Sequence, residues 1–204
     1  MKLKYVALML AAALSFGTIM TSCTPKEESQ QGVLTSREVD FSNIGLKYTT
    51  PESWMEYTKS NNIYPFAYEE DYTIANIKYN YITPEDWKTL SKAEDGVVID
   101  DYLYPICEIV VVQTDQASKL KSSGLYTTFS SRELIKENNG VSYYLFYDYV
   151  GSVRNMTDED VAIYDEICAG ISELADSFIV TDFDVDAYVE SKYAEKNTIS
   201  FSSE

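Results

Sequence analysis

The chain has 204 residues, 33 of them acidic and 16 basic, which gives a formal net charge of −17, and it has no histidine. Such an acidic chain repels phosphate backbones and anionic lipid headgroups, so nucleic acid is excluded as a partner. The absence of histidine excludes Ser-His-Asp and Cys-His catalysis, histidine-ligated zinc and the usual proton shuttle near neutral pH.

The N-terminal segment has the pattern of an export signal. Lys2 and Lys4 precede an apolar run from Tyr5 to Met20, which is too short for a comfortable membrane span of about 20 apolar residues. The run ends in Met20-Thr21-Ser22-Cys23, which resembles a bacterial lipobox, and the resemblance implies that Cys23 is lipidated and becomes the mature N-terminus. The alternative is an ordinary secretory signal in which this cysteine is incidental.

These features predict a signal peptide over residues 1–22, a lipidated tether over residues 23–36 and a single domain over residues 37–204. Thr24 to Ser36 is polar and has no periodicity, which is typical of a flexible spacer. Lys26-Glu27-Glu28 resembles the export tags that send some Bacteroidetes lipoproteins to the outer surface. We therefore expect a lipid-anchored protein of the bacterial cell envelope, with the outer-membrane surface as a candidate location.

The first half of the domain predicts strands and one helix. Residues Val39 to Thr49 are extended, and Pro51 cannot continue a central strand. Two strands follow in IYPFAYEE and YTIANIKYNYI. Thr83 is predicted to cap a helix that begins at Pro84, with Asp86 three residues after the cap.

The second half predicts further strands and a long helix. Residues Val97 to Ile99 and Leu103 to Gln113 are rich in β-branched side chains and predict strand. Asn139-Gly140 predicts a tight turn between strands at Ser131 to Lys136 and Val141 to Val150. From a cap at Thr157, apolar residues at three- and four-residue steps predict one long helix, with a stripe formed by Val161, Tyr164, Ile167, Cys168, Ile171, Leu174, Ala175 and Phe178. An extended segment and a short final helix follow.

This order of elements predicts an α+β domain in which a mostly antiparallel sheet is flanked by helices. A strand that carries GLKYTT into PESW, and a late helix that runs into Ser177-Phe178-Ile179-Val180, are similar to the PsbP/Mog-type fold over roughly Val39 to Asp184. Members of that family act as accessory or binding proteins in photosystem assembly and nuclear transport, and they share no catalytic residues. The resemblance therefore implies a binding role. The absence of histidine argues against the metal role known for plant members, and we expect neither a cofactor nor a metal.

Two cysteines remain in the domain, Cys107 and Cys168. In an exported protein they could form a disulfide, which would close a loop of about 60 residues and stabilise the fold by about 4 kcal/mol. Both also lie in apolar surroundings, ICEIVVVQ and DEICAGIS, where free cysteines commonly pack as small hydrophobic residues. Both alternatives stay open at this point.

Two chemical motifs are incomplete. Ser118 and Lys121 fit the spacing S-x-x-K, but the companion motifs of a serine hydrolase are missing. Asp182, Asp184 and Asp186 match the first three positions of a calcium loop, whereas Ala187 replaces the glycine that the loop needs. We interpret this acidic segment as the end of a strand, with Asp186 capping the last helix.

The chain is unusually rich in tyrosine, with 18 residues. Strand alternation in YYLFYDYV places Tyr143, Leu145, Tyr147 and Tyr149 on one face and Tyr144, Phe146 and Val150 on the other. Only one face of an ordinary antiparallel sheet must meet the core. The tyrosines are therefore either packed core residues or a rigid amphipathic surface for a ligand, and Tyr143, Tyr147 and Tyr149 are the ligand-binding candidates.

From these observations we expect a non-catalytic, membrane-anchored binding or accessory module, with a protein as its partner. The first alternative is a small-ligand or glycan binder that uses a tyrosine-lined pocket. The second is a hydrolase with paired carboxylates, since the acidic residues are abundant.

Overall fold

The structure is a computed structural model that describes residues 37–60, 62–68, 70, 72–90, 102–153 and 156–191. The predicted signal peptide, Cys23, the tether and the strand expected at Val97 to Ile99 lie outside the described residues. Within the described ranges, no helix is both long enough and apolar enough to cross a membrane.

The domain alternates strands and short helices along the chain. In chain order the strands are β1 (Glu38–Phe41), β2 (Leu46–Thr49), β3 (Ile63–Tyr68), β4 (Ala75–Tyr81), β5 (Tyr104–Gln113), β6 (Phe129–Asn138), β7 (Val141–Tyr149) and β8 (Ile179–Val180). The helices are α1 (Trp54–Lys59), α2 (Pro84–Leu90), α3 (Leu125–Thr128), α4 (Asp158–Ala169) and α5 (Ile171–Asp176), with 3₁₀ segments at Ser42–Ile44 and Thr114–Ser122. Residues 185–191 are also helical.

The described strands form two antiparallel sheets, one in the order β1-β2-β8 and one in the order β3-β4-β5-β7-β6. The predicted α+β class is therefore confirmed. The segment from Val39 to Thr49, predicted as extended, forms two strands, because a 3₁₀ turn and Gly45 at φ 67° fold it into the β1–β2 hairpin. A side chain at Gly45 would also lie 2.4 Å from the Thr181 carbonyl oxygen.

Both faces of the five-stranded sheet are covered, each by a separate hydrophobic core. Face A, which carries Ile109 and Leu145, packs against α4, α5 and the small sheet to form the first core. Face B, which carries Val110 and Phe146, packs against the second 3₁₀ segment and α3 to form the second core. Two covered faces explain why both parities of β7 are apolar.

The local signals for helix starts and turns are confirmed. The Asp86 backbone N–H donates to Thr83 Oγ1 over 3.1 Å, so Thr83 caps α2. Thr157 caps α4 in the same way, and Asp160 completes a reciprocal capping box. The β6–β7 turn has Asn139 and Gly140 at positive φ, as a two-residue hairpin turn requires.

The single long helix predicted after Thr157 is wrong, because it breaks at Gly170 into α4 and α5. The Trp54 indole N–H donates to the Ile167 carbonyl over 2.7 Å. A helix that continued through this point would use that carbonyl for its own i to i+4 bond. A side chain at Gly170 would lie 2.9 Å from both Pro51 and the Trp54 indole nitrogen, so the close approach of α1 requires a glycine here.

Cys107 on β5 and Cys168 on α4 both contact the first core, and both are free thiols. The structure therefore shows the packed-cysteine alternative rather than the bridge. Burial raises the pKa of the Cys168 thiol to about 11, and it raises the pKa of the Cys107 thiol well above its usual value. Neither thiol is a reactive thiolate near neutral pH.

Candidate binding surface

Three aromatic side chains line face B of the edge strand β3. Tyr64, Phe66 and Tyr68 alternate with Ile63, Pro65 and Ala67, so strand geometry places all three on one face. Their ring centres are 6.3 Å and 5.8 Å apart along the strand, and each side chain is half-buried. We call these three residues the aromatic row.

The strand next to the aromatic row presents polar side chains on the same face. Asn80, Lys78 and Asn76 of β4 lie directly opposite Tyr64, Phe66 and Tyr68 in the antiparallel register. The Lys78 ammonium lies 5.8 Å from the centre of the Phe66 ring, within the range of a cation–π contact. The surface therefore combines rigid rings with a positive charge in an otherwise acidic chain.

A buried carboxyl group adjoins the aromatic row. Glu108 of β5 lies opposite Lys78 and is only 2% exposed. The Tyr68 hydroxyl donates to Glu108 Oε1 over 2.5 Å, and the Asn76 amide donates to the same oxygen over 2.8 Å. Burial raises the pKa of Glu108, whereas these two hydrogen bonds and Lys78 act in the opposite direction. The nearby Glu70 carboxylate also raises this pKa, while the hydrogen-bond partners of Glu108 are a phenol and an amide.

Asn80 supplies an unsatisfied polar atom beside the same strand. Its side chain is fully buried, and its amide nitrogen donates weakly to the Tyr64 carbonyl over 3.3 Å. Its Oδ1 has no hydrogen-bond partner. An unpaired buried acceptor costs about 1–3 kcal/mol, so this position is locally unfavourable for the fold.

Among the described residues β3 is an edge strand, and its sequence opposes the addition of another strand. The Ile82 N–H donates to the Asn62 carbonyl, so these two residues form a hydrogen-bonded pair. Because such pairs alternate along antiparallel strands, the backbone N–H and C=O groups of residues 64, 66 and 68 point toward β4. Pro65 thus faces outward, where it lacks the N–H that an added strand would need. A partner at this edge must be recognised through side chains.

The structure does not bring the three predicted ligand-binding tyrosines together. Tyr143 is fully buried in the first core, where its hydroxyl donates to the Ile44 carbonyl over 2.9 Å. Tyr147 is half-buried against the first core, and Tyr149 is half-buried against the second. Asp148, at φ 59°, reverses the alternation of the strand, which is why Tyr149 leaves the face that the pattern predicted.

An open depression of about 650 Å³ lies beside the β6–β7 turn, and Asp115, Asn139, Phe183, Asp184 and Asp186 contribute to its lining. Asp184, rather than the predicted Asp186, caps the final helical segment, because its Oδ1 accepts the Ala187 N–H over 2.9 Å. Among the described residues, no group of three or more acidic or cysteine side chains could hold a metal ion. The depression is therefore open and lined in part by acidic side chains.

Sequence reasoning did not identify the aromatic row, although its signal was present. The hexapeptide IYPFAY alternates aromatic with small or aliphatic residues, and its proline indicates an edge strand. Aromatic residues at alternate positions of an edge strand indicate a binding surface better than a strand whose two faces are both apolar.

Comparison with known proteins adds no relative. No family model, no curated protein and no solved structure matches this chain.

Proposed function

We propose that this chain is a lipoprotein of the bacterial cell envelope whose domain is a non-catalytic binding or accessory module for a protein partner. The lipobox-like sequence that ends at Cys23, followed by a polar tether, supports the anchor. The aromatic row supports the binding role, and it is the single observation on which that role depends.

The chemistry of the aromatic row favours a protein as the partner. Tyrosine and phenylalanine are enriched at the centres of protein interfaces, because large rigid rings bury much area at a small entropic cost. Lys78 beside Phe66 adds a cation that an acidic or carbonyl-rich segment would complement. Since Pro65 closes the backbone edge, the partner contacts the rings rather than extending the sheet.

We also propose the finer fold assignment, a PsbP/Mog-like domain. The strand that leads through Pro51 to Trp54 and the helical segment that leads into Phe178 support it. An accessory role in assembling or holding another protein is what this assignment implies.

A glycan is the second candidate ligand for the same surface. The half-exposed rings of the aromatic row favour it, because a sugar can stack on aromatic faces. A protein ranks first because the depression found elsewhere on the domain is open and has no tyrosine in its lining.

The binding surface is tested by photo-crosslinking in cells that make the full chain. A photoreactive residue at Phe66 is expected to capture one defined protein, whereas the same residue at the exposed position Ala162 on α4 is not. With that protein purified, Phe66→Ala should weaken binding at least about tenfold, as loss of an aromatic hot spot does.

Phe41→Ala is the matched control, because Phe41 is also a half-buried phenylalanine on an edge strand, but in the small sheet. It should leave the affinity unchanged. Equal affinity of Phe66→Ala and the unaltered chain would remove the aromatic row from the proposal. Binding of a purified glycan that is lost in Phe66→Ala would instead establish the second candidate.

The anchor is tested separately. Cys23→Ala should leave the domain folded and move it from the membrane fraction to the soluble fraction, while Cys168→Ala should stay in the membrane fraction. If Cys23→Ala stays membrane-bound and untreated material shows an unmodified mass, the lipoprotein assignment is wrong.

A further inference from the structure

The strand β6 is a long edge whose outer side faces no described strand. It has ten residues and ends the order β3-β4-β5-β7-β6, so one of its two sides has no neighbouring strand among the described residues. Most of its side chains are exposed, including Leu134 at 46%. A long edge of this kind is the usual template for pairing with another chain.

Four charged positions near the middle of this edge have no net charge. Arg132, Glu133, Lys136 and Glu137 carry two positive and two negative charges, in a chain with a net charge of −17. None of the four forms an ion pair with another described residue. A neutral strip is where two copies of a strongly acidic protein can approach with the least repulsion.

A β-bulge brings opposite charges onto the same face of β6. The register with β7 shifts between Leu134 and Lys136, so Ile135 is an extra residue. Arg132 and Glu137 lie opposite Phe146 and Ser142, which are four residues apart on β7 and so share a face. Without the bulge, residues five positions apart would lie on opposite faces.

The other two charges are arranged in the same manner. Glu133 and Lys136 lie opposite Leu145 and Tyr143, which are two residues apart on β7 and so share face A. The two-residue turn makes Asn138 and Val141 a hydrogen-bonded pair. Since such pairs alternate along an antiparallel ladder, the backbone N–H and C=O groups of Lys136 and Glu133 point toward β7. The backbone groups of Arg132 and Glu137 therefore point outward.

We propose that β6 pairs with β6 of a second copy of this chain, antiparallel, about a two-fold axis that passes between Leu134 and Ile135. In this register Arg132 lies opposite Glu137 of the partner subunit, and Glu133 lies opposite Lys136 of the partner subunit. Each pair occurs twice by symmetry, which gives four cross-strand ion pairs and one continuous ten-stranded sheet.

The register also accounts for the exposed leucine. The two copies of Leu134 lie on the same face and on either side of the axis, so pairing removes this side chain from water. The bulge lies at the two-fold axis. On either side of it, the register of β6 with β7 is regular. This interface is separate from the aromatic row, which lies on the opposite edge of the same sheet.

Charge reversal in the full chain tests the pairing and its register. Sedimentation velocity in density-matched detergent is expected to show a monomer–dimer equilibrium for the unaltered chain. Arg132→Glu and Glu137→Arg should each weaken dimerisation at least about tenfold, because each creates two like-charge pairs. Lys59→Glu, an equal charge change on α1, is the control and should leave the dimer unchanged.

The decisive sample is an equimolar mixture of the two single variants. In a mixed dimer both Arg132–Glu137 positions again hold opposite charges, so mixing should restore dimerisation to within about threefold of the unaltered chain. The double variant should do the same on its own. A monomer at every concentration, a dimer that tolerates both reversals, or a mixture that stays monomeric would each overturn the proposal.

Discussion

Tyr48 of β2 and Tyr79 of β4 place their hydroxyl oxygens 2.6 Å apart inside the first core, and each side chain is 2% exposed. This hydrogen bond joins the small sheet to the large one. Burial raises the pKa of both phenols well above their usual value, so the pair stays neutral through the physiological range. One hydroxyl donates to the other, so each has a hydrogen-bond partner in a region that water does not reach.

A double-mutant cycle should therefore show strong coupling between these two tyrosines. Tyr48→Phe or Tyr79→Phe alone leaves one buried hydroxyl unpaired and should cost about 1–3 kcal/mol of unfolding free energy. The double variant removes both hydroxyls and should cost clearly less than the sum of the single variants. Urea denaturation measures all four proteins. Additive losses would mean that the two hydroxyls do not depend on each other.

Two glycines should respond in opposite ways to alanine. A side chain at Gly170 would collide with Pro51 and the Trp54 indole, so Gly170→Ala should destabilise the fold by about 1–3 kcal/mol. Gly124 has a right-handed backbone at φ −62°, and a β-carbon added there would have no atom within 4 Å. Gly124→Ala should be neutral or stabilising by up to about 1 kcal/mol. Thermal denaturation of both variants checks the contrast, and equal melting temperatures would contradict the close packing of α1 on α4.

Local chemistry predicted much of this fold, whereas long-range contacts decided the rest. The Thr83 and Thr157 caps and the Asn139-Gly140 turn could be predicted because each depends on neighbours within four residues. The break at Gly170 could not, because the indole that takes the Ile167 carbonyl lies on a distant helix. Helical periodicity continues through the break, and Gly170 is the local sign of it, because glycine is unfavourable in a helix interior.

The candidate surface was harder to predict than the fold for a related reason. Tyr143 looks like a ligand-binding residue in sequence, and only the Ile44 carbonyl, 99 positions away, assigns its hydroxyl to the core. The residues of the aromatic row are tyrosine and phenylalanine, the same types that fill the core. They remain half-exposed because they lie on an edge strand. Which strands become edges is a property of the sheet order, which single-strand patterns do not contain.

The buried Glu108 should make stability depend on pH in a defined direction. Burial raises the pKa of this carboxyl above its ordinary value of 4.5, so the folded state binds a proton more tightly than the unfolded state. Its contribution to stability is then full below the unfolded pKa and is lost as the pH rises through the folded pKa. Glu108→Gln keeps the shape and the acceptor oxygen but has no charge to bury.

The measurable quantity is the difference in unfolding free energy between Glu108→Gln and the unaltered chain across a pH series. This difference should move in favour of the glutamine variant from about pH 4 toward pH 8, because only the unaltered chain must then bury an anion. Other acidic residues titrate in both proteins and cancel in the difference. A difference that stays constant, or one that moves toward the unaltered chain as the pH rises, would show that Tyr68, Asn76 and Lys78 stabilise the ionised carboxylate more than burial opposes it.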